Sequence, residues 1–184
     1  MSFVSQSCFS SLYTEEVRKS CEPFSCGVED LDDFFREDAS EYEEFNMGYS
    51  YCVRLNDDPK VIVAIFTLAN DSIRIYDLPR SRKDALLKIT HHRKRLKRYP
   101  GVLLGRLGVN KDFARQGIGS QILEIIKLWV KTTDTIAACR FLIVDAINTP
   151  EVTAFYKRNN FKLLFSWVSS KTVLIICFSH YILL

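Results

Sequence analysis

The sequence is poor in the features that mark zinc-binding, secreted or membrane-spanning proteins. Its six cysteines include no Cys-x-x-Cys pair and no zinc-like spacing, and there are only three histidines. The first residues lack a charged segment followed by an apolar core, so we expect no secretory signal, reduced thiols and a cytoplasmic protein. The apolar run at 173–184 is shorter than the about 20 residues that a membrane-spanning helix needs, and it predicts a buried strand. We therefore expect no metal and no membrane partner.

Charge is distributed unevenly along a chain whose composition is otherwise that of a globular protein. The 184 residues are 47% hydrophobic with a net charge of +3, which suits a single domain over 1–184. Residues 29–44 contain nine acids and one arginine, whereas residues 80–98 contain nine lysines or arginines and one acid, Asp84. Each block is either a solvated face or the border of a functional site.

Hydrophobic periodicity and turn residues predict helices that alternate with strands. Helices are expected at 27–45, where Asp38 is the one break in the apolar stripe, and at 82–99, 122–130 and 152–159. Strands are expected at 49–55, 60–68, 102–109, 140–146, 161–168 and 172–183, with a hairpin turn at 56–59. The fold class is therefore α/β or mixed α+β, built around one mixed sheet.

The segment 103–120 carries the most informative pattern, a predicted strand followed by a glycine-bearing loop that opens into a helix. Backbone N–H groups and the helix dipole at such a terminus attract an anion such as a pyrophosphate. Gly117 and Gly119 allow the backbone to approach the phosphates closely. The alternative is a tightly packed strand–helix turn without a ligand. The residues predicted to contact a cofactor here are Arg115, Gln116, Gly117, Ile118, Gly119 and Ser120.

Two ordered motifs give the chain a resemblance to the GNAT superfamily of N-acetyltransferases over residues 24–178. The family's phosphate motif, Gln/Arg-x-x-Gly-x-Gly/Ala, aligns with 114–119, where both glycines match and Ala114 replaces the polar first residue; the neighbouring Arg115 could restore positive charge. A second segment, 148–161, resembles the family's tyrosine-bearing helix. The resemblance implies a single domain with a central, largely antiparallel mixed sheet flanked by helices, and acetyl-coenzyme A as cosubstrate.

Further segments resemble one branch of this family, which contains toxins of toxin–antitoxin systems that acetylate the amino acid on charged tRNA. The matching segments are Phe-Ser-Cys-Gly at 24–27, Leu-Asp-Asp-Phe at 31–34, Tyr-Asp-Leu-Pro at 76–79 and Leu-Gly-Arg-Leu-Gly-Val at 104–109. The resemblance implies charged tRNA as acceptor and an antitoxin protein as partner, and it leaves a homodimer open.

The resemblance also implies roles for individual residues. A bulged strand before the phosphate loop would place the Val109 amide, with Leu107 and Gly108 beside it, against the thioester carbonyl, where one such donor stabilises the oxyanion by about 3 kcal/mol. Tyr156 would protonate the departing thiolate, and Asn148 would hold the pantetheine arm. From the pattern alone, Tyr156 could equally be a packed aromatic on an amphipathic helix.

No general base can be identified from the residues. Asp145 is a candidate, although it could simply bond to nearby backbone amides. An α-amine with a pKa near 8 is already about one-tenth neutral at pH 7, whereas roughly one lysine in 2,500 is neutral, so the missing base favours an α-amine acceptor. The cysteines are poor candidates for a covalent acetyl relay because none adjoins a histidine.

The basic segment allows three hypotheses about the acceptor. In the first, charged tRNA binds the outward side of the predicted 82–99 helix. In the second, the acceptor is a small-molecule or protein amine and the basic face is merely solvated. In the third, the chain is a nucleic-acid-binding module without catalysis, against which the glycine pair and Tyr156 argue. The predicted tRNA-binding residues are Arg93, Lys94, Arg95, Lys97 and Arg98.

Overall fold

The structure, a computed structural model, describes residues 2–90, 96–132, 138–166 and 172–178. Its helices are α1 (Phe3–Ser7), α2 (Glu15–Ser20), α3 (Glu29–Asp33), α4 (Ala39–Glu44), α5 (Arg80–Thr90), α6 (Ile118–Thr132) and α7 (Pro150–Arg158). Its strands are β1 (Cys8–Leu12), β2 (Tyr49–Leu55), β3 (Ile62–Arg74), β4 (Arg98–Val109), β5 (Phe141–Ile147), β6 (Lys162–Ser166) and β7 (Thr172–Phe178). A π-helical turn, Phe34–Asp38, joins α3 to α4.

Within the described residues the strands form one mixed sheet in the order β1-β2-β3-β4-β5-β7-β6. The pairs β1–β2, β2–β3, β5–β7 and β6–β7 are antiparallel. Strands β4 and β5 run parallel, with Gly101–Leu103 opposite Phe141–Ile143. This arrangement confirms the predicted fold class, a mixed, largely antiparallel sheet with helices.

The chain divides into two compact units, Met1–Ala69 with Leu104–Ile126, and Asn70–Leu103 with Lys127–Leu184. A single domain over 1–184 remains a prediction. No helix in the described part of the chain is long and apolar enough to cross a membrane.

The first unit has its core under the predicted hairpin. Strands β2 and β3 flank the turn of Asn, Asp and Pro residues at 56–59, as the sequence predicted. The buried side chains that form one cluster in this unit are Tyr13, Phe34, Phe35, Ala39, Cys52, Ile62 and Ile65. Strand β1 and helices α1 and α2, which the sequence did not predict, also belong to this unit.

The second unit has a separate core on β5 and its neighbours. Strand β5 is buried at four consecutive positions, Phe141 to Val144, as expected for a central strand without a polar face. The buried side chains of this core are Ile73, Ile75, Leu86, Tyr99, Phe141, Ile143, Leu164 and Ile176.

The predicted helix at 82–99 is wrong at its C-terminal end. Helix α5 ends at Thr90, and β4 begins at Arg98, so Lys97 precedes a strand and Arg98 lies in one. Tyr99 is the last residue of the predicted helix, but it lies in β4, is 1% exposed and packs edge-on against Phe141, with ring centroids 6.1 Å apart. Burial against the sheet therefore overrides the local helical spacing.

Candidate active site

The backbone that leads into the glycine loop is anchored to β3. The N–H of Asn110 donates to the carbonyl of Val63 at 2.9 Å, and its side-chain amide donates to the carbonyl of Ile62 at 2.8 Å. The side-chain oxygen of Asn110 accepts a hydrogen bond from the Asp112 N–H at 3.1 Å, which caps a short 3₁₀ turn, Lys111–Phe113. The loop thus starts from a fixed position at the end of β4.

The loop itself has a left-handed backbone conformation at two positions, one of which is a glycine. Arg115 and Gly117 both have positive φ, +59° and +76°. A β-carbon built on Gly117 would have no neighbouring atom within 4 Å, so packing does not exclude a side chain there. Glycine adopts this left-handed conformation without the steric cost that a side chain brings, and the space beside Gly117 is open. Residues 114–117 are all exposed, and one of them, Arg115, carries a positive charge.

Helix α6 begins directly after this glycine. Ile118 is 2% exposed and fixes the first turn in the core, and the N–H of Gln121 donates to the Gly117 carbonyl at 3.2 Å. The first N–H groups of a helix have no partner within it, and the 15-residue helix adds roughly half a positive charge at this end. Gly119 and Ser120, in the same turn, are half-buried. The predicted loop residues thus lie together at a helix N-terminus, and their binding of an anion stays a prediction.

The end of β4 places the three predicted strand residues in different surroundings. Leu107 and Val109 are half-buried, whereas Gly108 is buried. A β-carbon on Gly108 would lie 3.2 Å from the ring of Phe24, 3.2 Å from that of Phe35 and 3.3 Å from Cys26. Gly108 is thus needed for close packing, and its predicted role toward the thioester rests on its backbone.

Tyr156 lies in the second unit, on α7, and it is 8% exposed. Its ring meets the rings of Phe155 and Phe161 edge-on, with centroids 5.1 and 5.2 Å away. Burial raises the pKa of its hydroxyl to about 12, so this group stays protonated throughout the physiological range. The ring contacts agree with the interpretation of Tyr156 as a packed aromatic, and its role as proton donor stays a prediction.

The other predicted residues of the second unit flank α7. Asn148 is exposed and directly precedes Thr149, whose side chain caps α7 by accepting from the Val152 N–H at 3.4 Å. Partial burial, and then the nearby Asp71 carboxylate, raise the pKa of Asp145. A raised pKa makes Asp145 a stronger base than an ordinary aspartate.

Part of the predicted tRNA-binding surface lies in the described residues. Lys97 and Arg98 are exposed, and Arg98 donates a hydrogen bond to the hydroxyl of Tyr76 at 3.4 Å. Tyr76 is 56% exposed and borders an open groove of about 470 Å³. The groove is lined by Ile75, Tyr76, Leu78, Arg80, Lys83, Asp84 and Leu87. The predicted Arg93, Lys94 and Arg95 lie outside the described residues.

Solved structures share this fold over nearly the whole chain. A tyrosine-to-phenylalanine mutant of KacT is similar with a TM-score of 0.75 at 20% identity, over 96% of this chain and 98% of that one. AtaT complexed with acetyl-methionyl-tRNAfMet is similar with a TM-score of 0.70 at 19% identity, over 91% and 93% of the chains. A mutant AtaT toxin bound to the C-terminus of the antitoxin AtaR and acetyl-CoA has a TM-score of 0.70 at 18% identity, over 96% of each chain.

No protein-family model and no curated protein sequence matches the chain. Identities of 18–20% establish the fold alone, and this fold agrees with the GNAT-like architecture that the sequence motifs implied.

Sequence reasoning missed the packing of two charged side chains on the elements that carry predicted site residues. Arg106 lies over the ring of Phe34, and Lys127 is 3% exposed on α6. Lys127 interrupts the apolar stripe of α6, which is the one indication of its burial that the sequence contained.

Proposed function

We propose that the protein is an acetyl-CoA-dependent N-acetyltransferase whose acceptor is the α-amine of an aminoacyl-tRNA. The observation that carries the proposal is the loop before α6, where Gly117 has φ +76° beside open space at a helix N-terminus. The pyrophosphate of coenzyme A has the charge that this loop accommodates. A mutant AtaT of the same fold has been solved with acetyl-CoA, which supports this cosubstrate.

The proposal assigns a role in the reaction to two of the described residues. The amine nitrogen attacks the acetyl carbonyl carbon, the C–S bond breaks, and the nitrogen loses a proton. The Val109 amide is the proposed donor to the carbonyl oxygen as negative charge develops there. The Tyr156 hydroxyl, protonated at neutral pH, is the proposed donor to the thiolate and regains its proton from the amine through water.

The charge and chemistry of the chain support this acceptor. An α-amine, unlike a lysine, reaches its neutral form without a strong base, because about one-tenth is neutral at pH 7. Lys97 and Arg98, with Arg80 and Lys83 in the Tyr76 groove, provide cations for RNA phosphates. The AtaT structure with acetyl-methionyl-tRNAfMet supports the same acceptor class.

The proposed activity is toxin-like, and it implies a neutralising partner. A mutant AtaT toxin of this fold is bound to the C-terminus of the antitoxin AtaR. We therefore include an antitoxin protein in the proposal, together with a cytoplasmic location, where charged tRNA occurs.

The test is acetyl transfer to a set of matched acceptors. Purified protein and labelled acetyl-CoA are incubated with one charged tRNA, the same tRNA after deacylation, a lysine-bearing peptide and a small polyamine, and the products are identified by mass spectrometry. We expect label on the α-amine of the charged tRNA and none on its deacylated form. Transfer to the peptide or polyamine alone would refute the acceptor, and transfer to none of the four would refute the enzyme class.

A further inference from the structure

The acidic helical segment at 29–44 in the first unit contains a π-helical turn. The hydrogen bond that closes such a turn spans one residue more than the one in an α-helix. The N–H of Ala39 donates to the carbonyl of Phe34, five residues earlier, and this closes the turn Phe34–Asp38. The extra residue brings two consecutive rings into the core, since Phe34 is 2% and Phe35 1% exposed. Single π turns of this kind are rare in helices and occur frequently at functional sites.

The ring of Phe34 stacks against an arginine of β4. The guanidinium of Arg106 lies 3.5 Å from the centroid of Phe34 and 5.3 Å from that of Tyr42. The two rings meet edge-on with centroids 5.0 Å apart, so they form a rigid support for the flat guanidinium.

The ring of Phe35 packs near Gly108, two residues further along the same strand. The nearest ring atoms of Phe35 and Phe24 each lie 3.2 Å from the position that a β-carbon on Gly108 would take. The two rings meet edge-on, with centroids 5.8 Å apart. The segment that carries Phe24 is itself fixed, because Asp32 accepts hydrogen bonds from the Cys26 N–H and the Ser25 hydroxyl, each at 2.7 Å.

Arg106 and Gly108 lie on one face of β4, because side chains two apart in a strand point the same way. Phe34 and Phe35, consecutive residues of the π turn, therefore pack near successive same-face positions of β4, immediately before Val109.

We propose that Phe34, Phe35 and Arg106 are positioning residues that fix the peptide plane between Gly108 and Val109, whose N–H polarises the acetyl carbonyl. The inference rests on the proposed acetyl transfer and adds to it the groups that hold the oxyanion donor in place. A donor to a developing oxyanion is effective only within a narrow range of distance and direction, so a loosened peptide plane reduces turnover without removing the cosubstrate.

Two variants test this inference, and one variant controls for stability. Phe35→Leu leaves an apolar side chain but removes the ring from Gly108, and Arg106→Lys keeps the charge but loses the flat stacking group. Tyr13→Leu is the matched control, because Tyr13 is an aromatic residue of the same buried cluster, at 7% exposure. The readouts are kcat, the Kd for acetyl-CoA, and the infrared stretch of a ¹³C-labelled acetyl carbonyl in the bound thioester.

In the wild type and in Tyr13→Leu, we expect the carbonyl stretch of bound acetyl-CoA to lie at lower frequency than that of free acetyl-CoA. In Phe35→Leu and Arg106→Lys this shift should be smaller. The kcat of the two test variants should fall about 10- to 100-fold while the Kd for acetyl-CoA is retained. Should Phe35→Leu not fold, Arg106→Lys decides alone.

A wild-type carbonyl shift and wild-type kcat in the test variants would overturn the inference and leave the proposed function standing. A loss of turnover equal in Tyr13→Leu and the test variants would also overturn it, because the effect would then be one of general stability. Failure of the wild type to bind acetyl-CoA would refute the proposed function itself, and with it the inference.

Discussion

The ammonium group of Lys127 donates a hydrogen bond to the backbone carbonyl of Asn159 at 3.3 Å, and both residues are buried. A buried ammonium needs such a partner, and this one lies at the end of α7. The side-chain amide of Asn159 donates to the Phe155 carbonyl at 2.8 Å, and the N–H groups of Asn159 and Phe161 donate to the Tyr156 carbonyl, each at 3.0 Å. The backbone of Tyr156 is therefore held independently of its hydroxyl.

From this we expect Tyr156→Phe to retain the fold and to lose turnover. The ring packing and the backbone bonds remain, while the proton donor is removed, so kcat should fall roughly 100-fold with little change in melting temperature. Tyr13→Phe is the matched control, because burial raises the pKa of Tyr13 to about 12 as well. Steady-state kinetics and thermal melting measure both effects. Unchanged kcat in Tyr156→Phe would show that Tyr156 packs in the core and has no part in catalysis.

The pH dependence of kcat/KM should show no loss of activity from Tyr156 below about pH 11. Its pKa is raised to about 12, so the protonated donor form persists as pH rises and is lost only above that value. An α-amine acceptor becomes neutral near pH 8, so the rate should rise through that range and then level off. A falling limb between pH 8 and 10 that disappears in Tyr156→Phe would contradict this assignment.

Cys26 should behave as an inert thiol although it lies beside Gly108. Partial burial and then the Asp32 carboxylate raise its pKa to about 11, so almost no thiolate exists at pH 7.5. We expect peptide mass spectrometry to show that this residue is alkylated slowly. We also expect Cys26→Ala to retain activity. Rapid alkylation together with an inactive Cys26→Ala variant would restore a covalent acetyl relay as a mechanism.

Binding of charged tRNA should depend steeply on salt through the basic face. Each phosphate contact contributes about −0.7 to −0.9 to the log–log slope of affinity against salt. Reversing Lys97 and Arg98 to glutamate should weaken binding and flatten the slope by about 1.4 to 1.8. A control with Lys19→Glu and Lys60→Glu makes the same change in net charge on two other exposed residues. Equal effects in the two double variants would mean that net charge, and no local surface, drives binding.

The sequence predicted those parts of the fold whose cues are local. The hairpin of β2 and β3 follows from turn residues at 56–59, and β5 follows from its apolar, β-branched composition. Edge strand β1 escaped prediction because its polar residues show no clear alternation of burial. Asp38, which breaks the predicted apolar stripe, ends the π turn; it is exposed, whereas Ala39 after it is buried.

The sequence identified the part of the candidate site whose proposed chemistry depends on the backbone. Gly117 was identified from its place before a helix, and its positive φ agrees with that interpretation. The support given by Lys127 to α7 and by Phe34 to Arg106 could not be predicted, because it joins residues 32 and 72 positions apart through side-chain packing. Long-range contacts of this kind leave no periodic pattern in one sequence.

The central claim, that the loop before α6 binds acetyl-coenzyme A, is tested most directly by calorimetric titration of acetyl-CoA. The wild type should bind, and Gly119→Glu should not, because a bulky anion would occupy the phosphate position while the fold persists. Gly117→Ala should weaken binding, whereas Gly27→Ala should not, although Gly27 has a similar φ of +79° and equally open surroundings. Wild-type affinity in both Gly119→Glu and Gly117→Ala, or no binding by the wild-type protein, would contradict the account.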